Sequence, residues 1–242
     1  MCTLTVIPRD QGYLLAMNRD ERLTRSGAAP PSLVTVGGIA AVYPSDGAGG
    51  TWVAANNHGI ALALLNWNDV TQPDSEKKSS RGAVITALIG LASQVEVQKA
   101  LQNLDLQDTW PFCLVGILPA EKNISEWRWN QKELKVEFYE WKPRHWFSSS
   151  LSDERAGSER GAACASAWRM DDAGSVAWLR RLHAGHENGP GPFSLCVHRE
   201  NVGTVSYTEI SCDGDRIACR YSVGNPCARR DLMDPVEMAR AR

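Results

Sequence analysis

The sequence predicts a layered α+β domain built on antiparallel sheets, and three observations carry that prediction. Short stretches of alternating apolar and polar residues, bounded by Gly, Pro, Asn or Asp, fill both ends of the chain. Segments with apolar residues at helical spacing lie between them. No regular strand–helix–strand alternation runs along the chain, as a parallel doubly wound sheet would require. A chain of 242 residues buries roughly three-quarters of its unfolded surface, so one domain over 1–242 is expected.

The elements follow in order. Cys2 to Ile7 and Tyr13 to Met17 alternate on either side of the breaker Pro8-Arg9-Asp10-Gln11-Gly12 and read as a hairpin, so position 2 starts a strand. Two short strands are expected at Leu33 to Val36 and Ile39 to Tyr43, then a tight turn at Asp46 to Gly50. Thr51 to Asn56 and Gly59 to Trp67 form a second hairpin around Asn57-His58, and Asn68 to Ser80 reads as an exposed loop. Helical spacing covers Arg81 to Ala92 and Gln94 to Leu104, followed by a meander of strands at Phe112 to Leu118, Ile124 to Trp129 and Leu134 to Glu140. Ser148 to Gly161, rich in Ser, Gly and charge, reads as a mobile loop, and Ala173 to Ala184 as a helix. Strands are expected again at Ser194 to Arg199, Gly203 to Ile210 and Arg216 to Tyr221, ahead of a tail from Asn225.

Composition removes several function classes. The balance of 26 basic and 28 acidic residues provides no positive field for nucleic acid or an anionic membrane. No segment has the length of a membrane span, and the N-terminal residues lack the basic and apolar regions of a secretory signal. Seven cysteines without a Cys-x-x-Cys pair argue against a zinc knuckle or a disulfide framework, so no metal is expected and the cytoplasm is the expected compartment. His183 and His186 could ligate a metal or haem, but a helix end beside glycine favours a cap or surface role. The crowding of Trp127, Trp129, Trp141 and Trp146 fits packing of strand faces better than a ligand platform.

Cys2 stands apart because of its position. The initiator methionine is normally removed before a residue as small as cysteine, which places a thiol and a free α-amine on one residue. An α-amine with a pKa near 7.7 to 8.0 can take the thiol proton close to neutral pH. The hairpin returns Asn18-Arg19-Asp20-Glu21 beside Cys2, where a guanidinium can hold a thiolate or a substrate carboxylate. Period-two alternation puts Glu21, not Asp20, on the face of Arg19. The plain alternative is a charged loop at a strand end.

Met1-Cys2-Thr3-Leu4, Asn18-Arg19-Asp20-Glu21-Arg22, Gly49-Gly50-Thr51-Trp52 with Asn57-His58-Gly59, and Leu64-Leu65-Asn66 resemble, in that order, the blocks of the NRDE family, the family of the Transport and Golgi organisation 2 protein. Weaker echoes stand at Ser80-Arg81-Gly82, at Phe112 to Gly116, and at Cys196 to Arg199 with Thr204-Val205-Ser206. The blocks resemble more distantly the choloylglycine hydrolase and penicillin V acylase group of N-terminal nucleophile hydrolases. That resemblance implies a four-layer αββα sandwich, with Cys2 attacking a non-peptide amide, Arg19, Asp20 and Glu21 in the catalytic set, and Asn66 donating to the oxyanion. Asn18, Trp52 and His58 are the implied ligand-binding positions. The chain departs from the hydrolase pattern in two places. Asp20 and Glu21 follow the arginine by one and two residues where the group has its acid at three, and Ser148-Ser149-Ser150 stands where a second asparagine is expected.

Two functional classes remain open on the sequence. One is a cysteine amidohydrolase that needs no cofactor and acts on a small-molecule amide. The other, implied by the family's links to haem trafficking and lipid metabolism, is a non-enzymatic carrier with haem or a lipid metabolite as its ligand. A scaffold that keeps these blocks only for folding is the third alternative.

Overall fold

The computed structural model describes residues 2–25, 27–70, 80–187, 189–228 and 231–241. Most of the expected loop from Asn68 to Ser80 lies outside the described residues. The elements in chain order are β1 (Cys2–Arg9), β2 (Gly12–Arg22), β3 (Ala29–Val36), β4 (Ile39–Ser45), β5 (Val53–Asn56), β6 (Ala61–Asn66), α1 (Gly82–Leu88) and α2 (Gln94–Asn103). Then come β7 (Phe112–Leu118), β8 (Asn123–Trp129), β9 (Leu134–Tyr139), β10 (Arg144–Ser148), α3 (Asp153–Ala167), α4 (Val176–His183), β11 (Val202–Cys212), β12 (Arg216–Val223) and β13 (Val236–Ala239).

Period-two alternation divides these strands between two sheets and three apolar layers. One sheet runs β10-β1-β2-β11-β12-β13, the other β3-β4-β5-β6-β7-β8-β9, and every ladder is antiparallel. Leu4 and Val6 of β1 and Leu15 and Met17 of β2 pack with Ala61, Ala63 and Leu65 of β6 and Val115 of β7 between the sheets. The intervening residues face outward: Leu62 and Leu64 meet Ile85, Leu88 and Val97 of the first helix pair. Ile7 and Ala16 meet Cys164, Trp178 and Leu179 of the second. The result is the four-layer αββα sandwich expected above.

Three elements differ from the expectation. The stretch from Ser148 to Gly161 is not a loop: β10 ends at Ser148, and α3 occupies Asp153–Ala167. Ser152 caps α3 by accepting from the Arg155 N–H, and Asp153 and Glu154 sit at its positive end. Ser194 to Arg199 forms isolated bridges in place of a strand, and the tail contributes β13. The clustered tryptophans pack as expected, Trp127 filling the helix-side core. Trp146 donates to Glu126 at 2.6 Å. No helix among the described residues is long and apolar enough to cross a membrane.

A buried chain of polar groups fastens the helix layer to β1. Trp168 Nε1 donates to His145 Nε2 at 3.0 Å, so His145 carries its proton on Nδ1 and donates to Thr5 Oγ1 at 2.9 Å. The Thr5 hydroxyl is then the donor to His183 Nε2, also at 2.9 Å. His183 is therefore a fully buried packing residue of α4 whose Nε2 is engaged by Thr5, while its Nδ1 is buried with no hydrogen-bond partner among the described residues. Burial holds His145 down to about 4; burial and then the neighbouring His145 hold His183 down to about 3. Both rings stay neutral in the fold but gain protons when it opens below the ordinary histidine pKa. Their contribution to stability is complete above about pH 6.5 and is lost as pH falls from there towards the folded values. Urea unfolding should show stability dropping by up to about 1.4 kcal/mol per pH unit for each histidine in that window, with a flatter profile for His183→Phe.

Candidate active site

The β1–β2 register sets the site. Cys2 is the direct partner of Arg19 on one side and of Ser148 on the other, so a thiol, a guanidinium and a hydroxyl stand in one row across three strands. The Cys2 backbone nitrogen donates to Ser148 Oγ at 2.9 Å. Ser148, found where an asparagine was expected, thus contacts the nitrogen that becomes the α-amine when Met1 is removed. The row opens on a cleft of about 400 Å³ lined by Cys2, Arg19, Asp20, Glu21, Trp52 and Asn66, with Arg25, Asp46 and Arg81 adding charge.

Arg19 is held on two sides. Its guanidinium lies 4.6 Å from the centre of the Trp52 ring and 3.4 Å from Glu21 Oε2. Glu21, two residues on and therefore on the same face, also pairs with Arg25 at 2.7 Å. Burial acts to raise Glu21, but the Arg22 N–H and the Arg25 and Arg19 guanidiniums outweigh it and hold the carboxyl below its ordinary value. Trp52 is delivered by the expected tight turn. Asp46 Oδ1 accepts from Ala48 N and Gly50 N, and Gly49 turns the chain at φ 80°.

The other half of the Asn-Arg-Asp-Glu block faces the helices. Asn18, expected to bind ligand, is fully buried and donates to the carbonyls of His183 and Leu195 at 2.8 Å each. It therefore ties α4 and the segment after it to β2 and does not enter the cleft. Asp20 accepts from the hydroxyl of Thr204, its cross-strand partner, at 2.6 Å, and lies 3.7 Å from Arg160 of α3. Burial raises its carboxyl above the usual range, opposed by the Arg160 charge and the Thr204 hydrogen bond. Asp20 also lines the cleft. His58, like Asn18, is absent from it. It sits in the β5–β6 turn, whereas Trp52 and Asn66 lie at the opposite end of that hairpin, roughly 20 Å away along the strands.

Two functional positions carried little sequence signal. Arg160 is 1% exposed and reaches the Cys2 carbonyl at 3.3 Å, Thr3 Oγ1 at 3.0 Å and the Ser148 carbonyl at 3.4 Å. It sits in a segment whose composition reads as a loop. Arg81 occurs in the weak echo Ser80-Arg81-Gly82. A Cβ on Gly82 would stand 2.8 Å from the Thr51 nitrogen, so glycine lets α1 start against the strand and brings Arg81 to the cleft. Arg81 donates to the Pro111 carbonyl, and among the described residues no carboxylate lies within ion-pair distance of it. Burial lowers its pKa to about 10, partly offset by Cys2 and Glu21.

Cys2 itself is 6% exposed, and burial raises its thiol above the ordinary value. Asp20 adds to that effect; Arg19 and the Asp20 backbone N–H oppose it. The surroundings alone therefore leave the thiol protonated, and a nucleophile here needs a base of its own.

The family model described as Transport and Golgi organisation 2 matches residues 1–207. The chain belongs to that family. No curated protein matches its sequence. Among solved structures, the family member is similar to penicillin V acylase from Agrobacterium tumefaciens, with TM-score 0.53 and 16% identity over 92% of this chain and 83% of that one. It is also similar to a mutant conjugated bile acid hydrolase from Clostridium perfringens, with TM-score 0.54 and 12% identity over 98% of this chain and 92% of that one. These likenesses place the family member in the N-terminal nucleophile hydrolase fold.

The Asp20–Arg160 pair gives a stability test. Arg160→Met leaves a buried carboxylate uncompensated and should cost about 3–5 kcal/mol in chemical unfolding, whereas Arg160→Met combined with Asp20→Leu should recover the part owed to that carboxylate and leave the part owed to the Cys2 and Ser148 carbonyls. Equal losses in the single and double variants would contradict the pairing.

Proposed function

We propose that this protein is a cysteine N-terminal nucleophile hydrolase that cleaves a non-peptide amide of a small molecule. The observation that carries the reading is the pairing of Cys2 with Arg19 on adjacent strands, at the mouth of a cleft that also holds Asn66. After Met1 is removed, the Cys2 α-amine takes the thiol proton, directly or through a water, and Sγ attacks the amide carbonyl. Asn66 and a backbone N–H of the cleft stabilise the oxyanion. Collapse breaks the C–N bond; the amine leaves with the proton held by the α-ammonium, and a water hydrolyses the thioester to return the thiol and a carboxylic acid. Ser148 accepts a hydrogen bond from the Cys2 nitrogen and so orients the base.

Charge in the cleft narrows the substrate. Glu21 and Asp46 answer Arg19 and Arg25, and Asp20 answers Arg160, so among the described residues Arg81 is left to meet an anionic group on the molecule that enters. The substrate class is therefore an amide bearing a carboxylate or comparable anion. The fold neighbours, by name an acylase and a bile acid hydrolase, support hydrolysis. No cofactor enters this chemistry, and the cytoplasm is the compartment that keeps the Cys2 thiol reduced.

The raised thiol pKa supports a second reading, a carrier in which Cys2, Arg19 and Arg81 hold an anionic ligand such as haem without reacting with it. Intact mass separates the two. On the hydrolase reading the purified protein lacks Met1 and gains one adduct from a thiol-reactive lactone or amide probe, and Cys2→Ala gains none. Retained Met1 with an unreactive Cys2 sinks the hydrolase, and saturable haem uptake by that same protein supports the carrier.

A further inference from the structure

Away from the cleft, three segments distant in sequence bring two thiols and two imidazoles together. His186 follows α4, Cys196 and His198 lie in the irregular connection to β11, and Cys227 lies in the turn after β12. The Sγ atoms of Cys196 and Cys227 are 3.5 Å apart. His198 Nε2 lies 3.6 Å from the first and 3.3 Å from the second. The His186 ring stands 4.8 Å from that of His198 at 61°, and all four potential ligand atoms fall within 4.8 Å of one another. His186 Nε2 is buried without a hydrogen-bond partner. A buried imidazole nitrogen left in that condition is unfavourable unless something else meets it.

We propose that His186, Cys196, His198 and Cys227 form a structural zinc site. A tetrahedral ion with bonds of about 2.3 Å to sulfur and about 2.0–2.1 Å to nitrogen sets its ligand atoms roughly 3.3–3.8 Å apart. The three separations among Cys196, His198 and Cys227 already lie there, and a shift of roughly 1 Å by His186 completes the set. Two thiolates and two imidazoles are a donor set that selects zinc over harder divalent ions. With four protein ligands no coordination position stays open for water, so the ion's role is to clamp, not to catalyse.

The backbone holds the ligands in place independently of the side chains. Cys196 N donates to the Gly185 carbonyl, His198 N to that of Gly191, and Thr204 N to that of Val197, while Val197 N donates to Thr204 Oγ1. The same connection hangs from β2 through Asn18, which holds the Leu195 carbonyl, and through the Thr204–Asp20 bond. An ion there fastens the end of β12 to the segment that backs β2, the strand paired with that of Cys2. Seven cysteines without a Cys-x-x-Cys pair exclude a local knuckle; they do not exclude a site assembled from residues 31 apart in sequence.

The site is tested on the full chain, reduced and stripped with a chelator. Zinc titration should load one equivalent and raise the Tm by several degrees, and cobalt(II) used as a probe should give the visible bands of a tetrahedral thiolate complex. Cys2→Ala should bind as wild type does, because the site owes nothing to the hydrolase reading. Cys196→Ser and Cys227→Ser should each lose the tight equivalent and the cobalt bands. A readout that needs no variant is alkylation: zinc should shield Cys196 and Cys227 but not Cys2. Equal metal uptake by wild type and the Cys196→Ser/Cys227→Ser double variant overturns the proposal. So does a metal-free protein whose Cys196 and Cys227 are joined as a disulfide and that takes up no zinc after reduction.

Discussion

The guanidinium of Arg160 is the charge around which the cleft end of β1 is organised. It comes from α3, in the helix layer, and reaches the sheet at the backbone carbonyls of Cys2 and Ser148 and at Asp20. A buried cation of this kind is tolerable only when acceptors surround it, and removing one of them leaves the others facing an unbalanced charge. The position of the Cys2 main chain, the seat of α3 and the ionisation of Asp20 are thus one coupled arrangement. The row of Cys2, Arg19 and Ser148 can be regular because this cation fixes the carbonyls behind it.

The electrostatics of the thiol follow from the same geometry. Many reactive cysteines are activated by an electropositive, partly open setting. Cys2 has the cation but not the openness. Burial outweighs Arg19, so the residue stays a thiol unless a base sits on the residue itself. An α-amine meets that need because it moves with the nucleophile and loses its charge near neutral pH. The hydrogen bond from the Cys2 nitrogen to Ser148 gives that amine a defined direction, and serine does so where an asparagine was expected.

Much of this arrangement was legible in the sequence. The alternation on either side of Pro8 to Gly12 places Cys2 beside Arg19, and period-two parity alone puts Glu21 with Arg19. What escaped did so for physical reasons. The α3 segment carries Ala, Gly and Ser in place of an apolar stripe, and its inward residues, Ala156, Arg160 and Cys164, are two small side chains and a charge. Its helical signal is the Ser152 cap, a local cue easily taken for a loop. The neighbours of His58 in sequence point it to the site, but a hairpin turn lies at the other end of its strands from their free termini. The Cys–His cluster rests on tertiary proximity, which ligand spacing does not encode.

The parity of β2 has a consequence for how damage to the Asn-Arg-Asp-Glu block would be experienced by a cell. Asn18 and Asp20 are fastened to the helix layer, Asp20 while also lining the cleft, whereas Arg19 and Glu21 turn their charges into the cleft. A loss of one or two kcal/mol at the first pair lowers the amount of protein that survives quality control. A change at the second pair leaves the amount closer to normal and impairs what each molecule does. Four adjacent residues thus divide alternately between two kinds of defect, one of supply and one of competence, and a chaperone or a stabilising ligand could relieve only the first.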